Sequence, residues 1–319
     1  MKFRTLGKSI IEVSEVGFGA WGLGGDAYGV IEESQAGQLL EYALEKGINF
    51  YDTSELYGNG RSEKIIGKAF REKRKKVVLC SKGGLTDGKN HFDLTNKMTV
   101  EEIDKSLNGS LDRLQTDYLD VYLLHSPHVG TDLTDIINLL QKFKSSGKIL
   151  SYGISARSPQ DALLFTKKYS LEVIQINYNM IDLRAEESGF LDYAWKNKIG
   201  IIGRTPPVFG YLTGALNGSE SLDKNLDHRA NWSVEQLKKW SESSNLFQFL
   251  VNKDRSLVQS ALKFCLAQES MSCVIPGVMK KSEIDENVAS VDKQDLNAQE
   301  VDSVRKINKE YNFIIKKNQ

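Results

Sequence analysis

Four residues of this 319-residue chain with proton-handling or charge chemistry sit where strands should end, and three of them close short apolar runs. Asp52 closes Gly47-Ile-Asn-Phe-Tyr-Asp52, and Tyr57 lies in the loop just beyond it. Lys82 closes Val77-Val-Leu-Cys-Ser-Lys82, and His125 closes Asp117-Tyr-Leu-Asp-Val-Tyr-Leu-Leu-His125. A carboxylate, a phenol, an ammonium and an imidazole together cover proton donation, proton acceptance and charge stabilisation. Polar residues at the C-terminal ends of successive parallel barrel strands face one shared pocket. This placement points to an enzyme.

The elements that must position them follow from periodicity. Short apolar runs at 16–19, 49–52, 77–81, 118–124, 150–154, 173–176, 199–203 and 273–275 read as strands. Helix-like stretches at 33–45, 62–70, 100–114, 133–145, 160–168, 187–196 and 257–267 alternate with them, and 281–288 follows the last strand. Burial on both faces, as helical crossovers demand, makes such strands short and apolar. Eight units predict an α/β fold, a (β/α)8 TIM barrel as one domain over 1–319. Residues 1–15 read as an N-terminal hairpin turning at 7–9. Thr99 with Glu102 three positions on has the capping-box pattern. The longest irregular stretch, 205–253, forms a long loop after strand seven, on the face where the pocket should open. It holds an expected helix at 234–243. Its Trp232, Trp240 and Phe247 either contact a ligand or pack the excursion onto itself.

Composition narrows the function classes. Lysine plus arginine equals aspartate plus glutamate at 42 each, which argues against a general nucleic-acid surface. No apolar run reaches membrane-spanning length, and Met1-Lys-Phe-Arg-Thr lacks the apolar segment of a secretion signal. Cys80, Cys265 and Cys273 are widely spaced in apolar surroundings and read as core residues of a reducing, cytoplasmic compartment. No His/Cys cluster has metal-site spacing.

One motif misleads. Gly17-Phe-Gly-Ala-Trp-Gly22 matches GxGxxG after a strand. The glycines continue through Gly24 and Gly25, and the next helix starts only near Glu33, so no helix N-terminus sits on the motif. Close backbone approach at the mouth of strand one explains the glycines better, with Trp21 on the pocket wall.

The segment Phe50-Tyr-Asp-Thr-Ser-Glu-Leu-Tyr-Gly58 is followed by Arg61-Ser-Glu63 and Gly67. With Leu124-His-Ser126, Gly153-Ile-Ser155, Gln175-Ile-Asn-Tyr178 and Ile275-Pro-Gly277, the chain resembles the aldo-keto reductase family over essentially its whole length. The resemblance implies a barrel that binds NAD(P)H across its C-terminal face, without a Rossmann domain or a metal. It also implies the catalytic tetrad Asp52, Tyr57, Lys82 and His125, matched without substitution. The chemistry is consistent. Hydride transfer to a carbonyl builds negative charge on oxygen, and a donor must meet it. Tyr57, with an ordinary pKa of about 10, would be the donor. Lys82 would lower that pKa, Asp52 would hold Lys82, and His125 would orient the carbonyl oxygen or relay a proton in alcohol oxidation. Each residue alone has an ordinary structural reading as cap, packing residue, snorkelling lysine or satisfied histidine.

The resemblance also implies where the cofactor lies. Ser155 and Gln175 stand where the family bonds the nicotinamide amide, but its usual Ser-Asn pair is Ser155-Ala156 here. Arg204 stands where many members carry a stacking aromatic ring. Gly19 and Trp21 flank the mouth of strand one, and Pro206 and Gly210 belong to the segment expected at the pyrophosphate. Gly277, Lys280, Lys281, Glu283 and Asn287 mark the adenine end. Lys280 and Lys281 favour the extra phosphate of NADP, whereas Glu283 would suit the ribose hydroxyls of NAD. NADP (NADPH) is favoured and NAD is possible. The expected partner is a small carbonyl or sugar substrate, with no nucleic acid, metal or membrane insertion. Trp21, Tyr28, His128, Trp232 and Arg229 are candidates to line the substrate site. The competing reading is a nucleotide-binding regulatory barrel resembling channel-associated subunits. An unrelated barrel hydrolase or isomerase lacks paired strand-end carboxylates in its support.

Overall fold

The computed structural model describes residues 1–87 and 94–315. The eight apolar runs become one parallel sheet: β1 (Phe18–Gly19), β2 (Phe50–Asp52), β3 (Val78–Gly83), β4 (Leu119–His125), β5 (Ile149–Ser155), β6 (Val173–Asn177), β7 (Gly200–Arg204) and β8 (Met271–Ile275). Each pairs with its sequence neighbour. Parallel bridges Val16–Val274 and Gly19–Gly277 join β1 to β8 and close the barrel. The crossover helices are α1 (Glu33–Glu45), α2 (Arg61–Phe70), α3 (Val100–Leu114), α4 (Thr134–Ser145), α5 (Pro159–Lys168), α6 (Phe190–Lys196), α7 (Leu257–Leu266) and α8 (Lys281–Ala289).

The N-terminal hairpin, Phe3–Thr5 against Glu12–Ser14, stoppers the barrel. Its Leu6, Ile11 and Val13 pack into one cluster with Phe50, Cys80, Val121, Leu123, Val173, Ile202 and Cys273. That cluster is the lumen, and it explains the site. Side chains alternate faces along a strand. Asp52 therefore shares the inward parity of Phe50, Lys82 that of Cys80, His125 that of Leu123, Gln175 that of Val173 and Arg204 that of Ile202. These five strands are apolar toward the plugged end and polar at their last inward position, whereas β8 keeps Ile275 there. The second apolar layer lies between the sheet and the helices.

Some boundaries differ from expectation. His125 and Ser155 are inside their strands because β4 and β5 pair to the end, His125 opposite Ser155. The helix expected at 187–196 is broken by Gly189, whose φ of 71° ends the short helix Arg184–Glu187 before α6 begins. The helix expected at 234–243 ends as Val234–Ser241, with Ser243–Leu246 following it. Thr99 accepts a hydrogen bond from the Glu102 amide at 3.2 Å, but the Glu102 carboxylate lies 3.9 Å from Lys97, so only half of the capping box forms. Two features went unread. A hairpin, Leu85–Asp87 with Leu94–Asn96, extends beyond β3. A C-terminal helix, Ala298–Tyr311, has a reciprocal capping box between Asn297 and Glu300.

Candidate active site

Gly58 lets the Tyr57 loop turn back into the mouth. Its φ is 59°, and a Cβ there would run into the Gly24 carbonyl. The Asp26 carboxylate accepts from the Gly58 amide at 2.9 Å, and Arg61 donates to the carbonyls of Leu23 and Ile31. Gly24 and Gly58 thus meet backbone to backbone, and the glycine run after β1 does serve close approach. Gly19 does the same against the Ile275 and Pro276 carbonyls.

With the loop fixed, the polar ends of the strands join. Lys82 is fully buried, and its Nζ donates to Asp52 Oδ2 at 2.8 Å, the Thr53 carbonyl at 2.8 Å and Tyr57 Oη at 2.9 Å. Gln175 Nε2 donates to Asp52 Oδ1 at 2.6 Å, and Ser155 Oγ donates to Gln175 Oε1 at 3.1 Å. A single chain of hydrogen bonds therefore runs Ser155–Gln175–Asp52–Lys82–Tyr57. His125 stands beside it, its ring perpendicular to that of Tyr57 with centroids 6.3 Å apart. Its Nδ1 lies 3.1 Å from Ser54 Oγ.

Electrostatics follows burial. Burial pushes the Tyr57 phenol up, and the opposing pull of Lys82 does not cancel it. This corrects the expectation that Lys82 sets a net lowering. Burial acts against the charge on Lys82, but the charge and hydrogen bond of Asp52 together with Tyr57 and Cys80 outweigh it, and the ammonium's pKa is raised. His125 is held far below the ordinary histidine value by burial first, then by the positive charges of Lys82 and Arg204. The floor is a charged lysine, a protonated phenol and a neutral imidazole.

A cavity of about 620 Å³ opens above this floor. It is lined by Gly19, Trp21, Asp52, Tyr57, His125, Gln175, Arg204 and Gly210, and reaches Gly277, Lys280, Glu283 and Asn287. Four of the expected cofactor residues behave differently. Ser155 is occupied with Gln175 beneath the wall. Pro206 is buried, and Pro207 lines the cavity instead. Lys281 lies in a separate surface groove, over the Tyr42 ring at 5.1 Å. Glu283 turns back on its own helix start and accepts from the amides of Met279 at 2.7 Å and Lys280 at 3.1 Å. Arg204 Nη2 donates to the Ala156 carbonyl at 2.7 Å, while its Nε is buried without a hydrogen-bond partner among the described residues.

The long loop covers part of the mouth. His228 packs against Trp21 at 4.3 Å, Phe209 at 4.7 Å and Tyr28 at 5.0 Å between ring centroids. Trp232 and Arg229 also line the cavity, and Arg229 pairs with Asp227 at 2.6 Å. Trp240 and Phe247 are buried and pack the loop itself, whereas Trp232 reaches the cavity wall. His128 is exposed and away from the cavity wall. His228, Asn177 and Ser54 were missed. Asn177 was legible, since it is the last residue of β6, two places after Gln175. His228 had no local signal.

Against known proteins, the model of the aldo/keto reductase family matches residues 15–309. The chain belongs to that family. It is 30% identical over 311 residues to an uncharacterised Bacillus subtilis oxidoreductase, YqkF, covering 96% of each chain. It is 32% identical over 312 residues to a probable voltage-gated potassium channel subunit beta of Arabidopsis thaliana, covering 92% of each. A Schizosaccharomyces pombe relative, 28% identical over 287 residues and covering 88% of this chain and 84% of its own, is named as an NADP(+) aldo-keto reductase. Among solved structures, the holo form of a Bacillus halodurans aldo-keto reductase superposes with a TM-score of 0.79 at 28% identity, covering 96% of each chain. This aldo-keto reductase is an NAD(P)-dependent oxidoreductase acting on carbonyl compounds. Among the described residues no His/Cys/Asp/Glu group could hold a metal, and no helix is long and apolar enough to cross a membrane.

Proposed function

We propose that this chain reduces an aldehyde, ketone or sugar carbonyl with Tyr57 as the proton donor and NADPH as the preferred cofactor. The observation that carries it is the buried Asp52–Lys82–Tyr57 chain opening into a large cavity. The bound nicotinamide would supply the hydride. Tyr57, kept protonated by burial, gives its proton to the carbonyl oxygen as charge develops there. Lys82 stabilises the phenolate left behind, and Asp52, braced by Gln175, keeps the ammonium aimed at Tyr57.

The wall fits an extended dinucleotide. The unpartnered Arg204 Nε offers a hydrogen bond and a flat cation beside the tetrad. Lys280 supports a 2′-phosphate and Asn287 an adenine, with Gly19, Trp21, Gly210 and Gly277 admitting close contact. The cofactor named for the fission-yeast relative agrees with NADP. We take residues 1–319 as one catalytic domain, and the three buried free thiols suit a cytoplasmic setting. A nucleotide-sensing subunit is the second reading, favoured by the similarity to the Arabidopsis channel subunit.

Turnover separates them. NADPH oxidation with a panel of carbonyl compounds is expected in the wild type. Tyr57→Phe should lose roughly 10²-fold or more in kcat, the scale of general acid catalysis. Nucleotide affinity should hold, because the phenol matters mainly as charge develops. Nucleotide binding without turnover of any carbonyl would support the sensor. Wild-type hydride transfer in Tyr57→Phe would remove Tyr57 from the centre.

A further inference from the structure

Arg204 closes β7 on its inward side, beside Asn177 of β6 and Ile275 of β8, and lines the cavity. Its Nη2 is spent on the Ala156 carbonyl, and its Nε is buried without a partner among the described residues. Among the described residues no carboxylate stands within ion-pair distance of it. The other charges at this end of the cavity are paired. Lys82 meets Asp52 at 2.8 Å, Arg184 meets Asp182 at 2.7 Å and Arg229 meets Asp227 at 2.6 Å. The Arg204 guanidinium is the charge left over.

A cation drawn out of water without a counterion is costly, and no neighbouring anion screens it from what stands beside it. Its reach shows in the floor. It helps to hold His125 below the ordinary histidine value, and it pulls against the burial that raises Tyr57. Tyr57 and His125 border the point where a carbonyl would take up hydride, so a nicotinamide ring placed to react lies within the same reach. That ring is neutral when reduced and carries one positive charge when oxidised. The phosphates at the far end of the dinucleotide are the same in both forms. A guanidinium plane can stack on either ring, but it is attracted to the neutral one and repelled by the cationic one.

We propose that Arg204 makes the site discriminate between the oxidation states of the nicotinamide, holding NADPH more tightly than NADP+. The inference rests on the nucleotide-binding reading above. Transfer of hydride to the carbonyl carbon, with the Tyr57 proton going to its oxygen, leaves the new positive charge of the ring within reach of Arg204. Arg204 therefore opposes the transfer step and promotes release of the spent nucleotide. It also fills the site with the reduced form from a pool that holds both. Alcohol oxidation starts from the weaker complex, so reduction is favoured wherever the two nucleotides compete.

Calorimetric titration of the full-length chain with NADPH, NADP+ and adenosine 2′,5′-bisphosphate, at one ionic strength, tests it. In the wild type Kd should be about tenfold higher for NADP+ than for NADPH, a fraction of the bare repulsion between two unit charges a few ångströms apart at a partly wet site. Arg204→Gln should bring the two constants together, chiefly by tightening NADP+. Arg204→Lys should keep the gap, because it keeps the charge. The bisphosphate has no nicotinamide and should bind all three proteins alike. Equal constants in the wild type overturn the proposal, as does a gap that survives in Arg204→Gln. Loss of the gap in Arg204→Lys overturns it too, since charge would then not be the cause. If neither dinucleotide binds the wild type, the nucleotide-binding reading itself falls; if both bind equally, only the role of Arg204 falls. If Arg204→Gln does not fold, the wild-type gap and its retention in Arg204→Lys still decide.

Discussion

On the floor of the cavity, Ser155, Gln175, Asp52, Lys82 and Tyr57 satisfy one another's hydrogen bonds, whereas Arg204 Nε at the end of β7 and His228 Nε2 in the roof above it are buried without a partner among the described residues. The backbones differ in the same way. The floor side chains project from strands or from a loop tied to them. The roof turns through Thr205, Val208 and Phe209 with φ of 58°, 52° and 54°, a region that β-branched and bulky residues rarely occupy. Such conformations cost of order 1–3 kcal/mol each and persist only where surroundings impose them. The Thr205 hydroxyl bonds to Asn177 Oδ1 at 3.0 Å, and Arg229 donates to the Phe209 carbonyl at 3.3 Å. The contrast suits the division of labour in the proposed function, in which the proton-handling groups are set before a ligand arrives and the unpartnered polar atoms would be satisfied by the ligand.

Breaking the floor should have the largest effect. Lys82→Met leaves the Asp52 carboxylate buried without its cation. Removing one partner of a buried pair costs about 3–5 kcal/mol, and denaturant unfolding would read it. A loss below about 1 kcal/mol, the value of an exposed pair, would show that the floor is wetter and less coupled than described.

The pH profile sharpens the same point. The Tyr57 phenol is raised by burial, so its proton persists above the ordinary value of about 10. His125 is lowered and stays neutral, adding no limb near its ordinary value of about 6.5. Since reduction needs the protonated phenol, kcat/KM should be flat from about pH 6 to 8 and fall only in strong alkali. An acid limb near 6.5 would mean that a histidine titrates in the reaction.

Roof changes should be smaller and confined to cofactor choice. Lys280→Ala should weaken NADPH relative to NADH by about tenfold, as a charge-assisted contact at a partly exposed site allows. Lys281→Ala should change the ratio little, because that lysine faces the other groove. Glu283→Gln should improve the NADPH/NADH ratio by a smaller factor, since its carboxylate is partly spent on the Met279 and Lys280 amides. Dissociation constants at fixed ionic strength check all three. Equal effects of the two lysines would place the 2′ position elsewhere.

The sequence by itself indicated the barrel, the N-terminal hairpin and the strand-end residues Asp52, Lys82 and His125, the last three for one physical reason. The period of two along a strand is local, so an apolar run ending in Asp52, Lys82 or His125 already says which face the polar residue joins. Even Asn177 and Arg204 follow that rule. What the tertiary structure alone decided depends on partners far apart in the chain. The bond from Gln175 to Asp52 spans 123 residues and exists only because β2 and β6 converge on one lumen. Lys280 and Lys281 are neighbours in sequence yet face different cavities, because the start of α8 points their side chains apart. His228 belongs to a loop without periodicity, and its amide bond to the Ala27 carbonyl and the rings of Trp21, Tyr28 and Phe209 place it. Ser54 stands in the sequence only as a residue of the segment after Asp52. Its three neighbours, the Leu56 amide, the Lys82 carbonyl and His125 Nδ1, come together only where β2, β3 and β4 end.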